Sequence, residues 1–191
     1  MTARSRPDDP AGPIVVVVTG SESTGKTTLA RDLAAHFGTA WVPESARTYG
    51  DGLLASTGRS LDASDVEPIA RAHIAAVDLV MPNAKRLVVL DTDLVSTVVY
   101  ARHYYGSCPA WVEQAARARR GDLYLLCDID VRWVPGPHRD RPHLREHMHE
   151  LFVDALEALG ARSVVIRGAW ADRWEIAIGA VSNALSFRAS P

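Results

Sequence analysis

The residues best suited to chemistry lie near the start of the chain, where glycine, lysine and hydroxyl side chains recur at a fixed spacing. The segment from Gly20 to Thr27 reads GSESTGKT and matches the pattern G-x-x-x-x-G-K-[ST] in full. It follows an unbroken β-branched run at 14–18 and precedes a helical pattern that ends near residue 37. A helix N-terminus after such a turn presents backbone N–H groups and a positive dipole end to a phosphate. The segment therefore predicts a phosphate-binding loop, or P-loop.

The P-loop predicts a division of labour in binding a nucleoside triphosphate. Lys26 is expected to reach the β- and γ-phosphates, and Thr27 is expected to ligate Mg²⁺. Glycines allow the backbone to approach the phosphates closely. The implied cofactors are ATP and Mg²⁺, although the sequence leaves ATP and GTP both open. The predicted nucleotide contacts, with Arg173 near the base, are Gly20, Ser21, Glu22, Ser23, Thr24, Gly25, Lys26, Thr27, Thr28 and Arg173.

Acidic residues follow two further predicted strands. Glu44 ends the second strand, and Asp91 and Asp93 stand at the end of the third. One carboxylate at such a position can organise Mg²⁺, and another can accept a proton from a substrate hydroxyl. We expect Asp91 at the metal and Glu44 and Asp93 in catalysis, but the sequence does not decide which acid is the base. The alternative for each is an acid at a helix N-cap or in a first helical turn.

A loop rich in proline, glycine, histidine and arginine is predicted within 131–145. Guanidinium groups stabilise the charge of a transferring phosphoryl group. A loop of this kind can close as a lid and exclude water, which protects ATP from wasteful hydrolysis. We expect Arg139 and Arg141 to be the catalytic lid arginines; the alternative is a solvated basic loop.

The elements that must position these residues form an alternation of strands and helices. Strands separated by helical segments imply a parallel sheet with helices on both faces, and ligands of such sheets bind beyond the carboxyl ends of the strands. The predicted fold is therefore α/β, a P-loop NTPase fold with a five-stranded parallel sheet. The predicted strands are 14–18, 40–42, 87–90, 123–126 and 163–166, and the predicted helices are 26–37, a long stretch from 61–64 to about 83, 94–104, one opening at Pro109, one ending near 159, and 172–185.

Composition favours an ordinary globular domain. The chain has 191 residues, of which 47% are apolar and 23% charged, with a formal net charge of -2. This charge gives no reason to expect a nucleic-acid or membrane partner. Cys108 and Cys127 lack the spacing of a disulfide framework or metal site, and no apolar run reaches 18 residues, so we expect a cytoplasmic protein. We predict a disordered tail at 1–13 and one kinase domain at 14–188; the oligomeric state stays open.

Several of these motifs together resemble the nicotinamide riboside kinase domain of NadR-type proteins. The P-loop with its continuation, GSESTGKTTLA, is similar to the loop of that family, and VPESARTY at 42–49 resembles its Glu-x-Ala-Arg-x-Tyr segment. The Leu-Asp-Thr-Asp at 90–93, followed by Thr97 and Tyr100, and Trp133 before a lid with Arg139 extend the similarity. The resemblance covers the chain from Ile14 to about Ala180.

The resemblance implies phosphorylation of the ribose 5′-hydroxyl of nicotinamide riboside by ATP, which gives nicotinamide mononucleotide in NAD biosynthesis. Aromatic side chains can face a pyridinium ring. The implied acceptor-binding residues are Glu44, Arg47, Tyr49, Asp91, Asp93, Tyr100 and Trp133.

The chain departs from the family's pattern in its lid. The family often has Trp-x-Asp-Asp-Gly-x-Arg, whereas 133–139 reads WVPGPHR and lacks both acids. The acceptor could therefore be another nucleoside, a vitamin or a hydroxylated metabolite, and a regulator that binds ATP without transferring phosphate is a third reading. We expect the kinase domain alone, without the adenylyltransferase and DNA-binding domains of NadR-type proteins.

Overall fold

The computed structural model of the chain describes residues 12–133 and 144–189. Within this part, strands and helices alternate along the chain. The strands are β1 (Ile14–Thr19), β2 (Ala40–Val42), β3 (Leu87–Asp91), β4 (Leu123–Cys127) and β5 (Ser163–Ile166). The helices are α1 (Lys26–His36), α2 (Ser45–Thr57), α3 (Val66–Val80), α4 (Leu94–Tyr105), α5 (Ala110–Ala118), α6 (Arg145–Ala158) and α7 (Trp170–Ala189), with single 3-10 turns at Ala63–Asp65 and Met81–Asn83.

The five strands form one parallel sheet in the order β2-β3-β1-β4-β5. The predicted α/β fold is therefore confirmed. Every residue of β1 is buried, which explains its unbroken β-branched run: a central parallel strand is covered by helices on both faces. Alternate residues point to opposite faces, so Val15 and Val17 lie in one hydrophobic core and Val16 and Val18 in the other. This order brings the carboxyl ends of β2, β3 and β1 side by side.

Helix α2 is the element that the sequence analysis did not predict. Its sequence, SARTYGDGLLAST, contains two glycines and buries only Gly50, so neither helix propensity nor an apolar stripe marks it. The helix ends at Gly58, which adopts a left-handed conformation with φ of 69°. Helix α7 is also longer at both ends than predicted, since it runs from residue 170 to residue 189.

Some predictions fall on residues outside the described part. Residues 1–11 of the predicted tail and residues 134–143 of the predicted lid, including Arg139 and Arg141, belong to this group. Among residues 12–133 and 144–189, no helix combines the length and apolarity needed to cross a bilayer.

Candidate active site

The loop between β1 and α1 has the backbone shape that the P-loop pattern predicts. Gly20 and Gly25 adopt positive φ angles of 127° and 85°, which L side chains rarely allow. A Cβ atom at Gly20 would lie 2.7 Å from the carbonyl oxygen of Cys127 at the end of β4. Glycine is therefore required there both for conformation and for close approach of two strands.

The side chains of this loop turn toward its own backbone. The Lys26 ammonium donates a hydrogen bond to the Ser21 carbonyl over 2.7 Å, and the Thr24 hydroxyl donates to the same oxygen over 2.8 Å. Lys26 is only 6% exposed. An ammonium has three N–H donors, so this contact holds the charge over the loop while the group can still bind an anion.

Asp91, the last residue of β3, is a buried acid in an unfavourable environment. Its side chain is 1% exposed, and neither carboxylate oxygen has a hydrogen-bond partner within the described residues. Burial raises the pKa of Asp91, and the nearby negative charge of Glu44 raises it further. Thr27, Lys26 and Arg47 oppose this increase, although the Thr27 hydroxyl does not make a well-aligned hydrogen bond with the carboxylate. A carboxylate without donors is suited to a cation, and Mg²⁺ takes carboxylate and hydroxyl oxygens as ligands. The donor set of Asp91 and Thr27 therefore fits magnesium.

Glu44 lies at the start of α2 and pairs with Arg47. The Arg47 guanidinium is 2.9 Å from Oε2 of Glu44, and its other terminal nitrogen makes a long contact of 3.5 Å with the Thr27 hydroxyl. The Glu44 side chain does not cap α2. The N-terminal end of this helix thus places a carboxylate and a guanidinium group next to the P-loop.

Asp93 begins helix α4 and has hydrogen-bond partners on both carboxylate oxygens. Its Oδ1 accepts hydrogen bonds from the backbone N–H groups of Val95 and Ser96, which makes Asp93 the N-cap of α4. Its Oδ2 accepts a hydrogen bond from the Tyr124 hydroxyl over 2.7 Å. Both oxygens thus join α4 to β4, which is the N-cap alternative, and the catalytic and acceptor-binding role of Asp93 stays a prediction.

Arg173 is buried against the backbone of the P-loop. Its side chain is 1% exposed, and it donates to the backbone carbonyls of Gly168, Thr24 and Asp128 over 3.0, 3.2 and 3.1 Å. It also pairs with Asp130. Its guanidinium therefore supports the backbone of the P-loop, and its direct contact with the nucleotide base stays a prediction.

Tyr49 and Tyr100, two of the three predicted aromatic residues, have different surroundings. Tyr49 donates a hydrogen bond to Asp65 over 3.2 Å, which directs it toward the connection between α2 and α3. Tyr100 packs edge-on against Phe152, and burial followed by the nearby Glu44 charge raises its pKa. Trp133 is partly buried and is the last residue of the described range 12–133. Tyr100 is thus placed near Glu44, whereas Tyr49 belongs to a separate network.

Arg145 lies at the end of the predicted lid segment and is not among the catalytic groups that the sequence predicts. One terminal nitrogen donates to the Val131 carbonyl over 3.0 Å, whereas Nε and the other terminal nitrogen are buried without a partner among the described residues. Burial lowers the Arg145 pKa, and Glu22 of the P-loop is close enough to oppose this. The position of Arg145 where the predicted lid segment meets the following helix is the sequence feature that could have identified it.

The sequence of the chain is similar to a known domain family and to two curated proteins. A family model described as AAA domain matches residues 15–173. The trifunctional NAD biosynthesis/regulator protein NadR of Escherichia coli K12 is 31% identical over 144 residues, 74% of this chain and 35% of NadR. NadR of Salmonella typhimurium LT2 is 32% identical over 119 residues, 62% of this chain and 29% of NadR. The chain thus spans about a third of the length of these curated relatives.

Solved structures give the same family of shapes. A crystal structure of NadR in complex with NR superposes with a TM-score of 0.72 at 27% identity, over 91% of this chain and 50% of that chain. A structure of NadR in complex with NAD and AMP-PNP gives 0.67 at 28% identity, over 90% of this chain and 49% of that one. Thymidylate kinase from Ehrlichia chaffeensis gives 0.67 at 16% identity, over 91% of this chain and 99% of that one, and supports the fold alone. The resemblance to NadR-type proteins is confirmed.

Proposed function

The chain belongs to the AAA-domain family and has the fold and phosphate-binding loop of an ATP-dependent kinase; from this premise we propose that it phosphorylates the 5′-hydroxyl of nicotinamide riboside. The product would be nicotinamide mononucleotide, a step of NAD biosynthesis. NadR has been crystallised with NR in a structure that covers 91% of this chain. That likeness supports the choice of acceptor.

The observation that carries the proposal is the convergence of three groups at one edge of the sheet. The P-loop with Lys26 follows β1, the partnerless carboxylate of Asp91 ends β3, and the pair of Glu44 and Arg47 follows β2. These three strands are neighbours in the sheet. Phosphoryl transfer needs the donor phosphates, a metal ion and the acceptor hydroxyl close together, because its catalysis is mostly positioning and charge stabilisation.

Thr27 and Asp91 are the residues that would hold Mg²⁺. A magnesium ion held there would supply positive charge to offset the negative charge of the transferring phosphate. Lys26 would bind the β- and γ-phosphates through the N–H donors that its contact with the Ser21 carbonyl does not use. Arg145, in the first turn of α6, would donate hydrogen bonds to the phosphates from Nε and from the terminal nitrogen that has no partner among the described residues.

Glu44 is the proposed general base. Asp93 caps α4 and Asp91 suits the metal, so Glu44 is the acid of the three left to face an acceptor hydroxyl. Its partner Arg47 fixes the orientation of the carboxylate, which a general base needs in order to face the hydroxyl. Tyr100 lies close to Glu44 and would line the acceptor side of the site.

The test is an acceptor panel with the purified chain, MgATP and equal concentrations of nicotinamide riboside, nicotinic acid riboside, adenosine, thymidine and non-nucleoside vitamins. We expect ADP formation that depends on nicotinamide riboside, with nicotinamide mononucleotide identified by mass spectrometry. The matched acceptor control is 5′-deoxy nicotinamide riboside, which lacks only the 5′-hydroxyl of the ribose and should give no product.

Other outcomes separate the alternatives. Phosphorylation of only a non-nucleoside would refute the proposed acceptor and retain the kinase class. Tight MgATP binding without any phosphorylated product across the panel would refute the kinase and select the regulator. Replacement of Glu44 by glutamine should lower kcat more than it changes the affinity for MgATP, because Glu44 lies on the acceptor side of the P-loop.

A further inference from the structure

Trp170 presents an exposed indole beside the P-loop. It is the first residue of α7 and is 44% exposed, although burying a tryptophan side chain is normally favourable. The ring edge packs directly on Gly25: a Cβ atom there would lie only 3.2 Å from Cζ3 of Trp170. The indole thus touches the backbone of the loop that the proposed function assigns to ATP phosphates, while much of its surface faces solvent.

The segment that carries Trp170 is fixed to the P-loop by hydrogen bonds. Asp130 accepts from the Gly168 N–H over 2.6 Å, and Asp172 accepts from the Ala169 N–H over 2.9 Å. Arg173 then joins the Gly168 carbonyl to the Thr24 carbonyl of the loop. The position of the indole relative to the loop is therefore set before any ligand binds, and preorganisation reduces the entropy lost on binding.

We propose that Trp170 is the stacking platform for the base of the nucleotide whose phosphates the P-loop binds; the proposal rests on the ATP binding of the proposed function. The ribose and base of such a nucleotide must leave the loop within a short distance, and an exposed ring already lies against Gly25. Stacking recognises the π face, which every base has, so Trp170 supplies affinity with little discrimination between ATP and GTP. Purine nucleotides, which have the larger face, bind more tightly than CTP or UTP.

Calorimetry with two probes tests this assignment: MgATP, which carries a base, and magnesium tripolyphosphate, which carries only phosphates. Replacement of Trp170 by leucine should weaken MgATP binding about fivefold to a hundredfold, which is the range expected for the loss of one base stacked on an aromatic ring. Tripolyphosphate binding should not change. Trp170→Phe should keep most of the MgATP affinity. Trp174→Leu is the matched control, since Trp174 lies one turn later on α7 and packs on His36.

A second readout does not depend on the leucine variant folding. MgATP should quench tryptophan fluorescence in the wild type and in Trp174→Phe, and the quench should be absent in Trp170→Phe. Equal loss of both probes in Trp170→Leu, or no loss of either, would overturn the platform. A wild type that binds neither probe would instead refute the P-loop assignment, and so the two failures are distinguishable.

Discussion

Replacing Asp91 with asparagine is expected to stabilise the nucleotide-free protein while removing its activity. The Asp91 carboxylate is 1% exposed and has no hydrogen-bond partner among residues 12–133 and 144–189. An unpaired buried polar group costs about 1–3 kcal/mol, and a charged one costs more. Lys26 offsets part of this cost, so we expect the neutral amide to raise the free energy of unfolding by about 1–2 kcal/mol. In a domain of this size, that corresponds to a Tm increase of about 2–6 °C.

The stability difference between the wild type and Asp91→Asn should depend on pH in a definite direction. Burial and Glu44 raise the folded-state pKa of Asp91 above its ordinary value of 3.8. The folded protein therefore holds this proton more tightly than the unfolded chain, and the associated stability is lost as pH rises through the folded-state pKa. Below pH 3.8 the carboxyl is neutral in both states, so the advantage of Asp91→Asn should be largest at neutral pH and shrink toward acid.

Urea unfolding of the nucleotide-free proteins at neutral and acid pH measures the difference. Adding MgATP should reverse the order, because the wild type gains binding free energy that the variant, without its metal ligand, cannot. Asp78→Asn is the control: that carboxylate is half exposed and pairs with Arg119, so its loss should change stability little. An Asp91→Asn protein that is less stable than the wild type at neutral pH, or that binds MgATP equally well, would refute the reasoning.

Three further predictions concern the loop and the α2–α3 connection. Gly20→Ala should lower the free energy of unfolding by about 2 kcal/mol in urea titrations, because its Cβ meets the Cys127 carbonyl at 2.7 Å and its φ is 127°. Lys26→Ala should cut kcat about a thousandfold in the ADP assay with unchanged circular dichroism; near-normal turnover would misplace the phosphates. The Arg59 guanidinium lowers the pKa of Asp65 to about 2, so Asp65→Asn should lower the free energy of unfolding at neutral pH. The expected loss is only about 1–2 kcal/mol, because Arg59 is 41% exposed and solvent screens the pair. The difference should vanish as pH falls from 3.8 to 2, and a constant difference across that range would contradict the pairing.

Local sequence constraints explain which parts of the fold were predictable. The β-branched run of β1 and the glycines of the loop act within a few residues, so strand, turn and helix follow from the amino-acid sequence. Helix α2 does not, because contacts from outside the helix fix it: Tyr49 bonds to Asp65, which Arg59 also binds. The roles of Asp91 and Asp93 were equally hidden, since the partner that distinguishes them, Tyr124, lies 31 positions along the chain from Asp93.

The turn after β3 shows why stability alone does not account for this edge of the sheet. Thr92 has a φ of 65°, a conformation that costs a β-branched residue energy, and its N–H is held by the Val18 carbonyl of the central strand over 2.9 Å. On one side of this strained residue, Asp93 has both oxygens satisfied; on the other, Asp91 has neither. A turn selected only for folding would satisfy both acids. A strained residue that holds one buried carboxylate in place and leaves its oxygens without donors is instead what a cation site next to a phosphate loop requires.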